Sequence, residues 1–303
     1  MGEGVLIPLP KPGKRPTAPN FRPVILLNTL RKVFANIVLI RITPAVESYL
    51  PESQTAYRKM KSTADNVWEM KIYASACQHY EHTTFDVLSL DMSKAFDSMP
   101  RAKLLDVMRN VVDNDEARMI EKHLQCTSLT IRVGEIPSES FSTAMGTPQG
   151  DALSPTLFTC YLEAALRSLR SRIPGQVSEC TYSDDVNFIG TKDEIDEVEK
   201  IAGDALKEYH LIMNEAKTER RTMTSEREST KGMKILGSFI NIEEEIAHRK
   251  RLAEAAFNKH HHVMTNRSIS VRNRVRAYNV FVRPVLLYNC QTWEMTEKHE
   301  EKL

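Results

Sequence analysis

Two short apolar strands that end in aspartate constrain this chain more than any other feature. The first, Phe85–Leu90, runs into Asp91 within LSLDMSKAFD, and the second belongs to a strand–turn–strand over residues 180–190, CTYSDDVNFIG, tipped by Asp184 and Asp185. A strand end fixes a carboxylate at a sheet rim. Adjacent aspartates need a turn, because neighbours on a regular strand face opposite ways. Three carboxylates brought together repel and stay partly protonated unless a dication neutralises them. Mg²⁺ prefers such oxygen donors, and two ions roughly 3.5–4 Å apart can activate a hydroxyl and stabilise a leaving phosphate. Either motif alone is weak, since an Asp at a strand end is more often a cap or turn residue and an Asp pair is more often a solvated hairpin tip. GTPQGD, at residues 146–151 between them, makes the combination strong.

The surrounding pattern predicts a mixed α+β core followed by a helical module. Pro8, Pro10, Pro12, Pro16, Pro19 and Pro23 crowd the start. They predict extended or edge strand around a mobile basic loop at Lys11 to Arg15. Leu30 to Leu50 reads as a helix carrying Val33, Ile37 and Ile40 and closed by Pro44, and Asn66 to Ala76 as another. Leu104, Met108 and Val111 share a helical face. Ser154 and Pro155 form an N-cap and N1 pair for a helix with Leu157, Tyr161, Ala165 and Leu169 in one stripe. A charged amphipathic helix spans Asp193 to Tyr209, and KILGSFI is a short strand. Beyond it, Ile242, Ile246, Ala253 and Phe257 share one helical face, as do Val271, Val275, Tyr278 and Val282.

Net charge bears on partners. Forty-one Lys and Arg against 40 acids give +1 over 303 residues, which excludes a simple basic coating protein or an acidic solvating one. The total is a cancellation: residues 1–50 hold seven basic residues and two acids, 184–219 hold eleven acids and four lysines, and 248–283 hold nine basic residues and Glu254. No apolar run approaches the ~20 residues of a membrane helix. The charged start is no signal peptide, and Leu6 stands where a myristoylation signal has Ser or Thr. Cys77, Cys126, Cys160, Cys180 and Cys290, an odd set without C-x-x-C spacing, read as reduced intracellular thiols.

The ordered motifs LPKPGK, NFRPVILLN, QTAYRKMKSTADN, LSLDMSKAFDSM, GTPQGDALSPTLF, YSDDV, LIMNEAKTE, KILGSFI and RPVLLYNCQTW span nearly the whole chain. Together they resemble the reverse transcriptase domain of non-LTR (LINE-type) retrotransposons. The resemblance implies a right-hand polymerase fold, with fingers to about residue 80, a palm with an antiparallel sheet to 240 and a partial helical basic thumb over 241–303. It implies that Asp91 and Asp184 hold two Mg²⁺ ions, for which Mn²⁺ can substitute, with Asp185 in support and the Met92 carbonyl completing one sphere. Phe96 takes the place of the steric gate that excludes ribonucleotides, although a core residue anchoring the next helix is the simpler reading. Gly146, Gln149 and Gly150 occupy the loop along the incoming nucleotide. Arg22 matches the finger arginine on the triphosphate, with Lys11 or Lys14 adding charge, and Arg58 matches a template contact. Lys217, in NEAKTE, can protonate departing pyrophosphate. Asp97 reads as a turn or cap.

The basic end then matches a thumb, with Arg249, Lys250, Arg251, Arg272, Arg274 and Arg276 against the template–primer backbone. His260 to His262 cannot converge on one helix side and carry little weight as a metal site. Two departures stand out. Ser183 precedes the aspartate pair where the family more often has Ala or Gly, and both ends look trimmed, without an endonuclease domain. The expected activity is RNA-directed DNA polymerisation from dNTPs on an RNA template and a DNA primer. Alternatives are a group II intron-type enzyme or an inactive nucleic-acid-binding remnant. Target-primed integration, typical of the family, implies nuclear access, and HRKR at 248–251 is too short to serve as its signal.

Overall fold

A computed structural model describes residues 3–11, 13, 15, 17, 20–80, 82–125, 127–133, 136–175 and 177–302. Lys14 and Cys126 lie outside the described residues. The chain opens with β1 (Glu3–Pro10), β2 (Phe21–Leu27), α1 (Thr29–Tyr49), α2 (Thr63–His79) and β3 (Phe85–Leu90). Then come α3 (Ala95–Ser98), α4 (Arg101–Arg109), α5 (Asn114–Gln125), β4 (Ser128–Val133), β5 (Ile136–Pro137) and β6 (Phe141–Ser142). Next are α6 (Ser154–Arg170), β7 (Ser178–Tyr182), β8 (Asp185–Gly190), α7 (Lys192–Glu208) and β9 (Glu219–Met223). The end comprises β10 (Lys234–Ile235), β11 (Ser238–Phe239), α8 (Ile242–Lys259), α9 (His261–Met264), α10 (Val271–Phe281), α11 (Arg283–Leu286) and α12 (Glu297–Lys302). These pack as two compact units, residues 1–61 with 87–220, and 62–86 with 221–303.

In the first unit, β1 runs antiparallel to β2 and parallel to β4, so it is an inner strand; β2 takes the edge. The prolines permit this. β4 pairs only with Glu3 to Leu6, and Pro8 and Pro10 lie beyond that stretch, where a missing N–H costs no ladder bond on the β4 side. A second sheet, in the order β7-β8-β3-β9, carries the acidic motifs. It packs under α6, whose Leu157, Phe158, Tyr161, Ala165 and Leu169 are buried. The cap of α6 falls one residue earlier than expected. Ser154 is its first residue, its hydroxyl donating to Pro148 O at 2.8 Å, while the N–H of the cap residue Leu153 donates to Asp151 Oδ1 at 3.1 Å. α7 begins with a capping box between Thr191 and Glu194.

α1 departs from expectation in two ways. Pro44 lies inside the helix rather than closing it, and Val33, Ile37 and Ile40 face solvent while Ala35, Val38, Ile42 and Val46 enter the core. The helix is apolar on both faces, so periodicity could not choose between them.

In the second unit, α2 has a capping box between Ser62 and Asp65. Burial lowers the pKa of Lys71, whose ammonium donates to Thr292 O at 2.7 Å. Asn241 caps α8 through Glu243 and Glu244 N–H groups. Ala253, Met264 and Val282 form a small core. On α10, Val271, Val275 and Tyr278 are exposed, so the face expected from their spacing is not buried there. No helix among the described residues is long and apolar enough to cross a membrane. Cys77, Cys160 and Cys180 are buried thiols, and Cys290 is an exposed one.

Candidate active site

Asp91 leaves the end of β3 with its carboxylate held from one side. Asn214 Nδ2 donates to Oδ2 at 3.0 Å, and the Lys217 ammonium lies 3.1 Å from the same oxygen and 3.4 Å from Oδ1. The backbone fixes this arrangement, because Asn214 N donates to Asp91 O at 2.8 Å and Ser93 N to Ile212 O at 2.9 Å. Asn214 O in turn accepts from the N–H groups of Lys217 and Thr218. Asn214 had received no role from sequence, although it opens the NEAKTE motif.

Asp184 and Asp185 sit at the hairpin between β7 and β8, as expected. β8 lies beside β3, where Ser89 Oγ donates to Asn187 Oδ1 at 2.6 Å. Both aspartates are exposed. Desolvation within the turn nevertheless raises the pKa of Asp185, the charges of Asp184 and then Asp91 raise it further, and Lys217 opposes them. The three carboxylates therefore share one electrostatic field.

The turn itself is braced. Ser183 has φ +58°, a left-handed conformation that favours glycine. Its N–H donates to Gln54 Oε1 at 3.2 Å, and its hydroxyl lies 3.2 Å from the Tyr57 hydroxyl. Backbone bonds between Thr55 and Thr181, and between Thr181 and Ser53, tie QTAY to β7.

The GTPQGD loop rests on the segment after Asp91. Gly146 N donates to Met99 O at 2.8 Å, and Arg101 Nε donates to Gly146 O at 2.9 Å. A Cβ on Gly146, which has φ +69°, would meet Phe96 O at 2.9 Å. Gly150, at φ +112°, lies against Ile25 O, and Ile25 N donates to Gln149 O at 2.8 Å. Phe96 is half-buried and stacks on Phe158 with centroids 4.1 Å apart; the anchoring reading of this ring is therefore met. Asp97 does more than end a turn, since its Oδ1 accepts from Gln149 Nε2 at 3.2 Å.

Below the loop, Asp151 is buried. Its Oδ2 lies 2.6 Å from His123 Nε2 and 3.5 Å from Arg31 Nε. Arg31 also donates to His123 O and Thr127 Oγ1, each at 2.9 Å. Burial pushes the Asp151 pKa up, yet hydrogen bonding and charge from His123, with Arg31, leave it lowered overall. This network was missed because Arg31 and His123 lie far from GTPQGD in sequence.

Other expected contacts resolve differently. Arg22 is exposed on β2, opposite Leu9. Arg58 was expected at the template, but its guanidinium pairs with Glu47 at 2.8 Å and donates to Pro51 O and Gln54 O, with its side chain only 6% exposed. In the other unit, Arg249 is buried against Glu245 at 2.7 Å and beneath the Tyr288 ring. Arg58 was read as a template contact and Arg249 as a contact to the template–primer backbone because sequence shows a charge without its partner. Lys250, Arg251, Arg272 and Arg276 are exposed, and Arg274 is half-buried. Among the described residues, no group of three or more His, Cys, Asp or Glu side chains is gathered closely enough to hold a metal ion.

Comparison with known proteins fits this arrangement. Residues 9–240 match the family described as reverse transcriptase (RNA-dependent DNA polymerase). A Pol polyprotein from the type-1 retrotransposable element R2 of Popillia japonica is 29% identical over 61% of this chain and 27% of its own length. A probable RNA-directed DNA polymerase from the X-element transposon of Drosophila melanogaster is 22% identical over 96% of this chain and 35% of its own. The chain thus spans about a third of these relatives. Among solved structures, the telomerase of Candida tropicalis in complex with a TWJ fragment of telomeric RNA superposes with a TM-score of 0.62 at 12% identity, covering 96% of this chain and 53% of that one. Telomerase from Candida albicans gives 0.58 at 14%, over 96% and 54%. The α+β architecture is that of a right-hand polymerase. Matched over most of its length, with the acidic strand ends and the GTPQGD loop in their expected places, the chain belongs to the reverse transcriptase (RNA-dependent DNA polymerase) family.

Proposed function

We propose that this chain is the polymerase module of a non-LTR retrotransposon, extending the 3′-hydroxyl of a DNA primer with dNTPs on an RNA template. The observation that carries the reading is the placement of Asp91 at the end of β3 and of Asp184 and Asp185 at the β7–β8 hairpin of one sheet, with the Lys217 ammonium 3.1 Å from Asp91. Carboxylate oxygens under mutual repulsion suit Mg²⁺, which would be held by Asp91 and Asp184 with Asp185 in support. When bound, two such ions lower the pKa of the attacking hydroxyl and stabilise charge on the leaving pyrophosphate.

The protein's own groups do the rest. Asn214 fixes the Asp91 carboxylate, and the brace on Ser183 sets the direction of the aspartate pair. Lys217 delivers a proton to the departing pyrophosphate. Phe96 crowds a 2′-hydroxyl, while Arg22, with Lys11 or Lys14, attracts the triphosphate. The assignment of residues 1–240 to fingers and palm and 241–303 to a thumb belongs to this reading. So do the phosphate contacts of Lys250, Arg251, Arg272 and Arg276, work in the nucleus, and an endonuclease supplied from outside these residues. Primer extension on a defined RNA template with Mg²⁺ tests it against an Asp184→Asn control. Incorporation by the parent alone supports the reading, and equal incorporation by both, or none by either, overturns it.

A further inference from the structure

The outer face of α1 is built as a seam. Leu30, Val33, Ile37 and Ile40 lie along it at spacings of three, four and three residues, the repeat by which one helix packs along another. Each is about half exposed or more, with Ile40 at 74%, and Leu26 just before the helix extends the stripe. The opposite face is already occupied, with Ala35, Val38, Ile42 and Val46 in the core. A helix that is apolar all round is normally covered all round. Here one side has no cover among the described residues.

The polar groups beside the seam are already satisfied. Asn36 Nδ2 donates to Lys32 O at 2.8 Å, Thr43 Oγ1 to Leu39 O at 2.6 Å and Ser48 Oγ to Pro44 O at 3.0 Å. The acceptors are the helix's own carbonyls, so covering this face strands neither hydroxyl. Two of the flanking charges are matched within the chain as well, Arg41 by Glu116 and Glu47 by Arg58, each at 2.8 Å.

Spacing, area and charge together select the occupant. The three-four-three spacing reads the same from either end. In an antiparallel pair of α1 helices, Leu30 of one protomer meets Ile40 of its partner, and Val33 meets Ile37. The β-branched Val33 and Ile40 fall at the d positions of the repeat, which disfavours a parallel two-stranded pair. Antiparallel pairing sets the two Lys32 positions about 9 Å apart along the axis and the two Arg41 positions about 18 Å apart. Those separations are a Debye length or more at physiological salt. The five aliphatic side chains expose on the order of 500 Å², a patch of the size that marks an interaction site. Two copies would bury roughly twice that, and the polar rim brings the total into the ~1,200–2,000 Å² of a stable interface.

We infer that the outer face of α1 is a homodimer interface, closed by antiparallel pairing with α1 of a second copy across a two-fold axis. Such pairing is separate from the polymerase reading above and does not require it.

Sedimentation velocity of the full chain without nucleic acid, across micromolar concentrations, tests this in the parent, Ile37→Glu and Ile37→Ala. The parent should dimerise reversibly. Ile37→Ala should weaken the dimer by about tenfold, and Ile37→Glu by at least about 100-fold, because pairing would bury a carboxylate. Circular dichroism at concentrations where the parent is monomeric should be unchanged in both, since Ile37 lies outside the core. Register is read by copper–phenanthroline oxidation in a Cys290→Ser background, which removes an exposed thiol. A mixture of Leu30→Cys and Ile40→Cys chains should form a disulfide-linked dimer. Neither chain alone should, because its two thiols would stand about 15 Å apart along the axis, beyond disulfide reach. A parent that stays monomeric throughout overturns the proposal, and flotation of that monomer with phosphatidylserine vesicles would give the face to a membrane instead. A dimer unchanged by Ile37→Glu is held elsewhere on the molecule and overturns it equally. Disulfides within each single-cysteine chain would show a parallel pair and overturn the antiparallel register.

Discussion

Lys217 and Asp91 form an ion pair at 3.1 Å across the lip of the acidic site. The pair is placed by backbone rather than by the charges alone, since Lys217 N donates to Asn214 O and Asn214 N to Asp91 O. On the reading proposed above, an ammonium held there would supply a proton where pyrophosphate departs. Lys217→Met should lower the single-turnover rate by about 100-fold, with template affinity unchanged. Rapid-quench and template-binding measurements check both. A parental rate in the variant would exclude Lys217 as the acid.

The left-handed Ser183 gives a graded prediction. Glycine adopts φ +58° without strain, while a β-branched side chain there is a conformational outlier. Ser183→Gly should retain activity within about twofold, because Gln54 still receives the backbone N–H. Ser183→Val should cost about 2 kcal/mol in denaturant unfolding and lower the polymerisation rate as the aspartate pair shifts. Equal stability of the two variants would show that the turn is unstrained.

Phe96 is asked to do two things, and a single variant separates them. Phe96→Val removes the ring that stacks on Phe158 and should destabilise the protein by about 2 kcal/mol. It should also raise ribonucleotide incorporation relative to dNTP by at least about tenfold, as the space beside a 2′-hydroxyl opens. Competition assays with matched dNTP and rNTP measure the second effect. Destabilisation without a change in sugar preference would leave Phe96 an anchor alone.

What could be read in advance follows from which interactions are local. Asp91, Asp184 and Asp185 were legible because a carboxylate at the end of an apolar strand breaks the strand's own pattern. The glycines at 146 and 150 were legible as members of one loop, though not what they approach: Phe96 O for one and Ile25 O for the other. Asn214, Arg101 and Asp151 were not legible as parts of the site, because each acts through partners distant in sequence. Arg58 and Arg249 were misread for the same reason, their charges being met by Glu47 and Glu245. α1 shows the limit of periodicity, with apolar residues on the face that packs and on the face that does not.

Asp151 ties the GTPQGD loop to the fold and gives the protein an acid-sensitive point. Its side chain is almost wholly removed from solvent, as are those of Arg31 and His123 around it, with exposure of 1% against 3% for each partner. Its pKa is lowered in the folded state: burial acts to raise it, but the His123 hydrogen bond and charge and then Arg31 outweigh that effect. A group with a depressed folded pKa contributes stability that is fully present above its unfolded value, about 3.9. That contribution is lost as pH falls through the folded value. Urea unfolding of the parent should therefore show a stability contribution from Asp151 that is constant above about pH 5 and declines below about pH 4. Asp151→Asn should cost about 3 kcal/mol at neutral pH, because it leaves the Arg31 charge buried and unmatched. The difference between parent and variant should shrink as the pH is lowered, since protonation of the parent carboxyl removes the same charge. A difference that stays constant down to about pH 3, below the unfolded value, would mean that the charge of Asp151 contributes nothing to holding the loop.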